Sequence, residues 1–232
     1  MPWSEIPKPP TELLLEGSAY YQNRNDVRVP GNGTTFSYRS LLGQGPRPTS
    51  RITLLQPLDG DQGIRFVYAP LAFSGRGRLS RATQFNGATF APGVDTRGRY
   101  QFDSYRLSYY RRVRSREGDA WRFGLTLKVR DAEVALSQPG LSRAYRNTGI
   151  VPLLHFGGRA RLSDRWSAIV DFDGLIAPQG RALDLGVSVA YRTSERLHWY
   201  IGLRALDGGA DNDRTYNAAL FTYATAGVAL RF

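Results

Sequence analysis

The last stretch of the chain, Leu220 to Phe232 (LFTYATAGVALRF), decides the fold. Counting back from Phe232, every second residue is apolar except Thr222, while the residues between them are mixed, small and polar. Successive side chains of a β-strand point to opposite faces, so this alternation predicts a strand with one apolar face.

The same period of two recurs upstream. Five further strands are predicted by clear alternation, and they begin at Trp121, Leu154, Trp166, Leu183 and Leu197. Four earlier, less regular strands are predicted at residues 12–25, 51–58, 64–78 and 99–114. Pro57 and Pro70 lie inside two of these runs and predict bulges there. Together with the last strand, the pattern predicts ten strands.

The predicted connections alternate in length. The short ones are residues 59–63, 115–120, 163–165 and 193–196. Most of the long ones fall between them, at 27–50, 79–98, 137–149 and 207–214. The connection 177–181 is an exception, because it is as short as its neighbours. Short turns on one side and long loops on the other are typical of a transmembrane β-barrel.

Composition narrows the class of protein. The chain has 232 residues, of which 41% are hydrophobic and 12% aromatic, so general disorder is excluded. It has no Cys, which excludes a disulfide scaffold and Cys-based metal or thiol chemistry. No apolar run approaches the roughly 18 residues of a membrane helix. The net charge of +11 indicates an anionic partner.

Alternation also occurs in soluble sandwiches and lipocalin-type barrels, so a soluble ligand-binding β-barrel is the alternative fold. Two observations favour the membrane barrel. The polar faces carry the Arg, Asp, Ser and Gly expected of a crowded, hydrated lumen. Large aromatic residues lie within a few residues of the short turns, as an interfacial girdle requires, and these are Trp121, Trp166, Tyr191 and Trp199.

The ending Ala226 to Phe232 resembles the terminal strand of bacterial outer-membrane β-barrel proteins, which end in an aromatic residue after alternating apolar residues. The resemblance implies an all-β, antiparallel, up-and-down transmembrane barrel with periplasmic termini and turns and longer extracellular loops. It further implies a location in the bacterial outer membrane and recognition by the barrel-assembly machinery through Val228, Leu230 and Phe232.

The predicted organisation is a periplasmic N-terminal tail at residues 1–10 and a single barrel domain at residues 11–232. The first ten residues have neither the basic start nor the apolar stretch of a signal peptide. Either the protein is not exported, or the sequence is that of a mature chain with a start Met added. A monomer is expected.

The predicted lumen faces are rich in charge. Ten strands enclose a narrow lumen, so a wide diffusion pore is excluded. One interpretation is a salt-bridge network that fills the barrel, and the other is a positively lined path for a small anionic solute. The lumen residues are Glu16, Arg65, Arg106, Arg112, Arg122, Lys128, Arg130, Arg159, Arg161, Asp171, Asp173, Asp184, Arg192 and Arg204.

The function predicted first is therefore a small-solute channel, an uptake barrel or a structural membrane protein. An outer-membrane enzyme acting on lipopolysaccharide or peptide at the outer rim is the alternative. His155 with Asp171 or Asp173 is the acid–base candidate, because His198 lies beside a short turn on the periplasmic side. Omptin-family proteases use Asp and His near the outer rim, but no matching pair of motifs occurs here. Lipid A deacylases use a lipid-facing Ser-His pair, and neither His155 nor His198 lies on an apolar face.

Two groups of polar residues are candidates for binding further ligands. Asp207, Asp211 and Asp213 could hold a hard cation, although a polar extracellular turn is favoured and no cofactor is expected. Arg side chains of the long loops predict contacts with the phosphates of outer-membrane lipid and lipopolysaccharide, and they are Arg39, Arg47, Arg76, Arg78, Arg81, Arg97, Arg99, Arg143 and Arg146. No nucleic-acid module is present, so no nucleic-acid partner is expected.

Overall fold

The computed structural model describes residues 9–113, 119–178 and 180–232. Most of the predicted N-terminal tail, residues 1–8, and most of the predicted turn 115–120 lie outside these residues. The described elements are β1 (Glu12–Arg28), β2 (Phe36–Ser37), α1 (Tyr38–Leu42), β3 (Arg47–Pro57), β4 (Gln62–Ala69), β5 (Ala72–Arg78), β6 (Thr83–Phe85), β7 (Ala88–Phe90), β8 (Asp95–Val113), β9 (Ala120–Gln138), β10 (Leu141–Arg161), β11 (Trp166–Ala177), β12 (Gly180–Arg192), β13 (Leu197–Asn212) and β14 (Thr215–Arg231).

The antiparallel sheet closes into a barrel, because β1 pairs with both β3 and β14. The elements β4 and β5 are two parts of one wall strand, and both pair with β8. They are separated at Pro70 and Leu71, where the Leu71 N–H instead donates to the Asp103 carboxylate at 2.9 Å. Counting them together gives ten wall strands, which confirms the predicted fold class. Pro57, by contrast, is the last residue of β3.

Thr11 and Phe232 lie at one end of the barrel, here called the terminal end. The Thr11 N–H donates to the Phe232 carbonyl at 3.0 Å, and the Phe232 N–H donates to the Thr11 carbonyl at 3.1 Å. The tight turns 58–61, 162–165 and 193–196 lie at the same end. The opposite end, which carries the connections 29–46 and 79–94, is called the loop end.

The predicted apolar faces point outward. Leu125, Leu127, Ile201 and Leu203 are 66%, 57%, 68% and 70% exposed, although they lie in the middle of their strands. The intervening side chains point into the lumen. A soluble barrel would bury these apolar residues, so the soluble ligand-binding alternative is wrong. Among the described residues, no helix is long and apolar enough to cross a membrane.

Two predicted long loops are strands instead. The segment 137–149 is the top of the β9–β10 hairpin, which turns at Pro139 and at Gly140 with a φ of 75°. The segment 207–214 is likewise paired, apart from the turn at 213–214. The sequence pattern missed these extensions because the polarity of the two faces changes there. On β9 the outer face becomes polar at Asp131, while the inner face becomes apolar at Val134.

The two remaining loops fold into the loop end of the barrel. They carry α1 and the β6–β7 hairpin, whose aromatic side chains pack against inward-facing side chains of the wall. The buried cluster includes Phe36, Tyr38, Phe85 and Phe90 from the loops, and Tyr20, Phe73, Tyr100, Phe221 and Tyr223 from the strands. This aromatic plug fills one side of the lumen above the charged residues.

The hydroxyl of Tyr38 fixes α1 to the wall. It lies 2.9 Å from the carbonyl oxygens of Arg99 on β8 and Ala135 on β9, and it accepts from the Ala135 N–H at 3.0 Å. Burial raises the pKa of Tyr38 above its ordinary value, so the hydroxyl stays protonated and available as a donor. The helix is thereby held across two paired strands.

Glycines on the inner face of the wall allow α1 to approach it closely. A Cβ added to Gly77 would lie 1.9 Å from the Leu41 carbonyl oxygen, and one added to Gly98 would lie 3.0 Å from the Tyr38 ring. The alternation of Arg76, Gly77 and Arg78 on β5 therefore combines a charged outer face with a bare inner one.

Replacing Gly77 by Ala is expected to displace α1, because the backbone of Leu41 occupies the space that the new Cβ needs. Overpacking of this kind costs about 1–3 kcal/mol. Denaturant unfolding of the refolded protein measures the loss. Gly17→Ala is the matched control, because nothing lies within 4 Å of its added Cβ. Equal unfolding midpoints for the two variants would show that α1 does not pack against β5.

Candidate functional site

A layer of charged side chains crosses the lumen halfway along the barrel. Asp184 on β12 is at its centre and accepts from Arg51 at 3.1 Å, from Arg106 at 2.5 Å and from Arg204 at 2.6 Å. All four side chains are at most 10% exposed. Three guanidinium groups from three different strands thus converge on one carboxylate.

Asp173 on β11 is the second anchor of this layer, and its side chain is fully buried. It accepts from Arg65 at 3.0 Å, from Arg106 at 2.7 Å and from the Thr126 hydroxyl at 3.1 Å. Since Arg106 also contacts Asp184, the two carboxylates belong to one network.

Asp171 completes the network. It accepts from Arg65 at 2.8 Å and from Arg122 at 3.2 Å, and it lies 3.6 Å from Arg51 and 3.7 Å from Arg204. Buried ions are tolerated only when they are paired and hydrogen-bonded. This mutual pairing favours the salt-bridge interpretation of the lumen over an open, positively lined path.

His155 lies within this charged layer, away from the outer rim. With its Nδ1 protonated, it donates to Asp173 at 2.8 Å, while its Nε2 accepts from Arg122 at 3.0 Å. The side chains of His155 and Asp173 are fully buried. The two residues are within hydrogen-bond reach, but they do not lie at the outer rim, where the enzyme alternative requires them. A substrate held at the rim would not reach them.

Other residues predicted for the lumen network lie nearer the terminal end. Arg159 contacts Glu12 at 2.9 Å and the Nδ1 of His198 at 2.7 Å, in a chamber of about 590 Å³ that opens at this end. Arg161 and Arg192 form ion pairs with residues of the tight turns, and both are more than two-fifths exposed. These two arginines lie at the mouth of the barrel, which corrects their predicted place among the buried charges.

A second cavity, of about 410 Å³, lies on the loop side of the charged layer. Here it is called the outer cavity. Its wall is mostly apolar and is formed by β8, β9 and β10 on one side and by β11 to β14 on the other. Phe102, Val134, Leu175, Leu206 and Phe221 are among its lining residues.

Two cations line the outer cavity without a carboxylate partner among the described residues. Lys128 is only 3% exposed, and its Nζ lies 4.8 Å from the centre of the Phe102 ring. Arg130 donates to the Asn147 side chain, while its buried Nε has no hydrogen-bond partner in the described part of the chain. Because an uncompensated buried cation is costly, the cavity is suited to an anion.

The three predicted cation ligands, Asp207, Asp211 and Asp213, each contact a different partner instead of one another. Asp207 accepts from Arg181 at 2.9 Å, and Asp211 lies 3.5 Å from Arg28. The Asp213 carbonyl accepts from the Gly31 N–H at 3.1 Å. Over residues 9–113, 119–178 and 180–232, no group of three or more metal-ligating side chains converges.

Sequence reasoning missed several residues of the site. The predicted strand 51–58 only begins at Arg51, and the sequence pattern does not assign Glu12 to the lumen. Arg51 pairs with the buried carboxylate of Asp184, and Glu12 pairs with the guanidinium group of Arg159. The outer cavity was also missed, since its lining residues come from eight separate strands. Gly75 and Gly77 leave the inner face of β5 without side chains, and this pattern in the sequence could have indicated that the loop with α1 folds against it.

The fold and the charged lumen define the class of protein as an outer-membrane-type β-barrel. OmpT, the outer membrane protease from Escherichia coli, is similar at a TM-score of 0.59 and 11% identity, covering 100% of both chains. The attachment invasion locus protein Ail of Yersinia pestis has a TM-score of 0.41 and 10% identity, covering 97% of this chain and 99% of Ail.

The translocator domain of the autotransporter NalP from Neisseria meningitidis has a TM-score of 0.47 and 12% identity, covering 99% of this chain and 91% of that domain. No protein-family model matches the chain, and no curated protein matches it by sequence. The OmpT likeness shows the shared barrel fold alone.

Proposed function

We propose that this barrel lies in the bacterial outer membrane and binds or takes up a small amphipathic anion in its outer cavity. The observation that supports this proposal is an apolar cavity of about 410 Å³ lined by Lys128 and Arg130, neither of which has a carboxylate partner among the described residues. Apolar walls with a few fixed polar groups are typical of sites for small molecules.

The proposed orientation follows from the resemblance of the last strand. Periplasmic termini would place the terminal end in the periplasm and the outer cavity towards the outer leaflet. Barrel assembly through Val228, Leu230 and Phe232 belongs to the same proposal. Phe232 is 71% exposed, as a residue at the membrane interface would be.

Free diffusion along the barrel axis is not part of this proposal. The carboxylates Asp171, Asp173 and Asp184 tie arginines from opposite walls together between the outer cavity and the terminal-end chamber. A steadily open channel would require those ion pairs to be broken. Of the channel, uptake and structural functions predicted from the sequence, we therefore propose uptake. If no anion binds, the protein is a purely structural barrel.

Contact with lipopolysaccharide is proposed from a separate observation. Exposed arginines lie on the outer surface near the loop end, including Arg76 and Arg146, whose side chains are 72% and 76% exposed. Arg recognises phosphate through two parallel hydrogen bonds. These residues lie outside the outer cavity, so this contact concerns the surrounding lipid.

Titration with cis-parinaric acid, a fluorescent fatty acid, tests anion binding directly. We expect saturable binding to the refolded protein and an affinity at least about tenfold weaker in Lys128→Met, because a hydrogen bond to a charged group contributes about 1.5–3 kcal/mol. Arg143→Met is the control, since this exposed arginine lies outside the cavity lining. Absence of saturable binding to the unmodified protein would refute the proposed function.

A further inference from the structure

The barrel wall has a gap between β10 and β11. Their ladder runs from Arg161 paired with Ser167 to Leu154 paired with Gly174, and it ends there. β10 then continues to Leu141 while pairing only with β9. Within the described residues, the β10 segment 141–153 therefore has no paired strand on the side that faces β11. The short β11–β12 hairpin, which turns near Pro178, does not extend the ladder along this edge, and in its upper part the Ala144 carbonyl accepts from the Asn86 side chain at 2.8 Å.

The lower part of the gap lies at the height of the apolar belt. Pro152 pairs with Leu127, and Ile150 pairs with Val129, both of which belong to the outward apolar face of β9. Ile150 is 72% exposed and, on the facing edge, Ile176 is 71% exposed. The gap is thus bordered by apolar side chains where lipid chains would meet the barrel.

The gap and the outer cavity are continuous. Ile150, Val151 and Pro152 on β10 line the cavity, and so do Leu175 and Ala177 on β11. These residues are the two edges of the gap itself. Unpaired strand edges are costly in hydrocarbon, and irregular backbone is tolerated at membrane depth where it lines a cavity. A proline at an edge position, as at Pro152, is typical of a strand without a partner on that side.

The unpartnered cations lie beside this gap. Lys128 pairs with Val151, and Arg130 pairs with Gly149, so both project into the cavity from the strand next to the unpaired edge. An anionic head bound there would leave an apolar chain directed along a lining of aliphatic and aromatic side chains. The two cations match the anionic head of a fatty-acid-like molecule, and the apolar lining matches its chain.

We propose that amphipathic anions reach the outer cavity sideways, from the outer leaflet of the membrane, by passing between β10 and β11. This inference rests on the proposed function and adds both the route and the ligand class, a single-chain lipid or fatty acid. The apolar chain passes between Pro152 and Ile176, and the head is held by Lys128 and Arg130. Access from the aqueous side, past the loops, is the competing route.

An engineered disulfide tests the route, because the chain has no Cys of its own. Continuing the register beyond Leu154 and Gly174 places Pro152 opposite Ile176, so the variant is Pro152→Cys with Ile176→Cys. A disulfide requires Cα atoms within about 7 Å, and its formation therefore holds the gap shut. The control is Leu107→Cys with Leu127→Cys, a pair in the continuous β8–β9 ladder.

The measurement is the rate at which cis-parinaric acid, supplied in the lipid of reconstituted vesicles, enters the cavity. We expect oxidation to slow this rate at least tenfold in the gap variant and to leave the control unchanged. Where no disulfide forms, Ile176→Cys coupled to a polyethylene glycol maleimide obstructs the gap, and the same slowing is expected.

The outcomes separate the route from the function. Equal rates in the oxidised and reduced gap variant, or with and without the coupled polymer, would overturn the lateral route while the binding proposal remained intact. If the reduced variant and the unmodified protein both fail to take up the probe, the proposed function itself is wrong.

Discussion

Replacing Asp184 by Ala is expected to destabilise the barrel by about 3–5 kcal/mol, the usual cost of breaking a buried ion pair by removing one partner. Asp184 holds Arg51, Arg106 and Arg204 at 3.1, 2.5 and 2.6 Å, and the substitution leaves these buried cations with fewer anions. Removing the carboxylate that joins these three strands also loosens the charged layer between the outer cavity and the terminal-end chamber.

Two measurements test this expectation. Denaturant unfolding in detergent gives the change in the free energy of unfolding. Planar-bilayer recordings should show no sustained conductance steps for the unmodified protein. They should show such steps for Asp184→Ala, because the arginines then repel one another and no longer block the lumen. Sustained steps from the unmodified protein would contradict a closed lumen.

An exposed ion pair provides the matched control. Asp95 contacts Arg76 at 3.3 Å, with side chains 59% and 72% exposed. Surface pairs of this kind contribute about 0–1 kcal/mol, so Asp95→Ala should change stability little and should give no conductance. If Asp184→Ala is as mild as Asp95→Ala, the lumen charges do not stabilise the barrel.

Replacing Leu125 by Arg is expected to have the second large effect. Leu125 is 66% exposed in the middle of the outward apolar face of β9. Arg near the membrane midplane costs a transmembrane barrel about 2–4 kcal/mol, whereas a surface Leu→Arg change in a soluble protein is nearly neutral. Unfolding of the protein reconstituted in phospholipid vesicles measures the cost.

Ser142→Arg is the control for this experiment. Ser142 is also exposed, but it lies near the top of β10, above the apolar belt. We expect its unfolding midpoint to match that of the unmodified protein within about 0.5 kcal/mol. Similar midpoints for Leu125→Arg and Ser142→Arg would mean that the exposed apolar faces are not in contact with lipid.

The middle of the barrel was predictable from sequence because a single rule holds there: apolar residues outside and polar residues inside. On β9 this rule holds from Phe123 to Val129. Above the belt the exterior carries Asp131 and Glu133, while the aromatic plug makes the interior apolar. Once both faces change character, the alternation no longer identifies a strand, and the loop ends of the strands were consequently predicted as loops.

The candidate site was predictable in part for a related reason. Alternation assigns a charged residue to a face, so it predicts that Asp173 and Asp184 face the lumen, and their side chains are buried there. It gives no information on which charges meet across the barrel, because that depends on the stagger of strands far apart in sequence. The contact between Arg106 and Asp184 and the outer cavity both depend on this stagger.

The hydrogen bonds between Thr11 and Phe232 have a consequence for the order in which this protein can be made. The seam joins β1 to β14, so closure requires all of β14 to have been synthesised. Until then, the edge of β1 that meets β14 remains without a partner, and an unpaired edge favours aggregation. The nascent chain therefore needs protection of its first strand throughout its synthesis, whatever the cavity later binds.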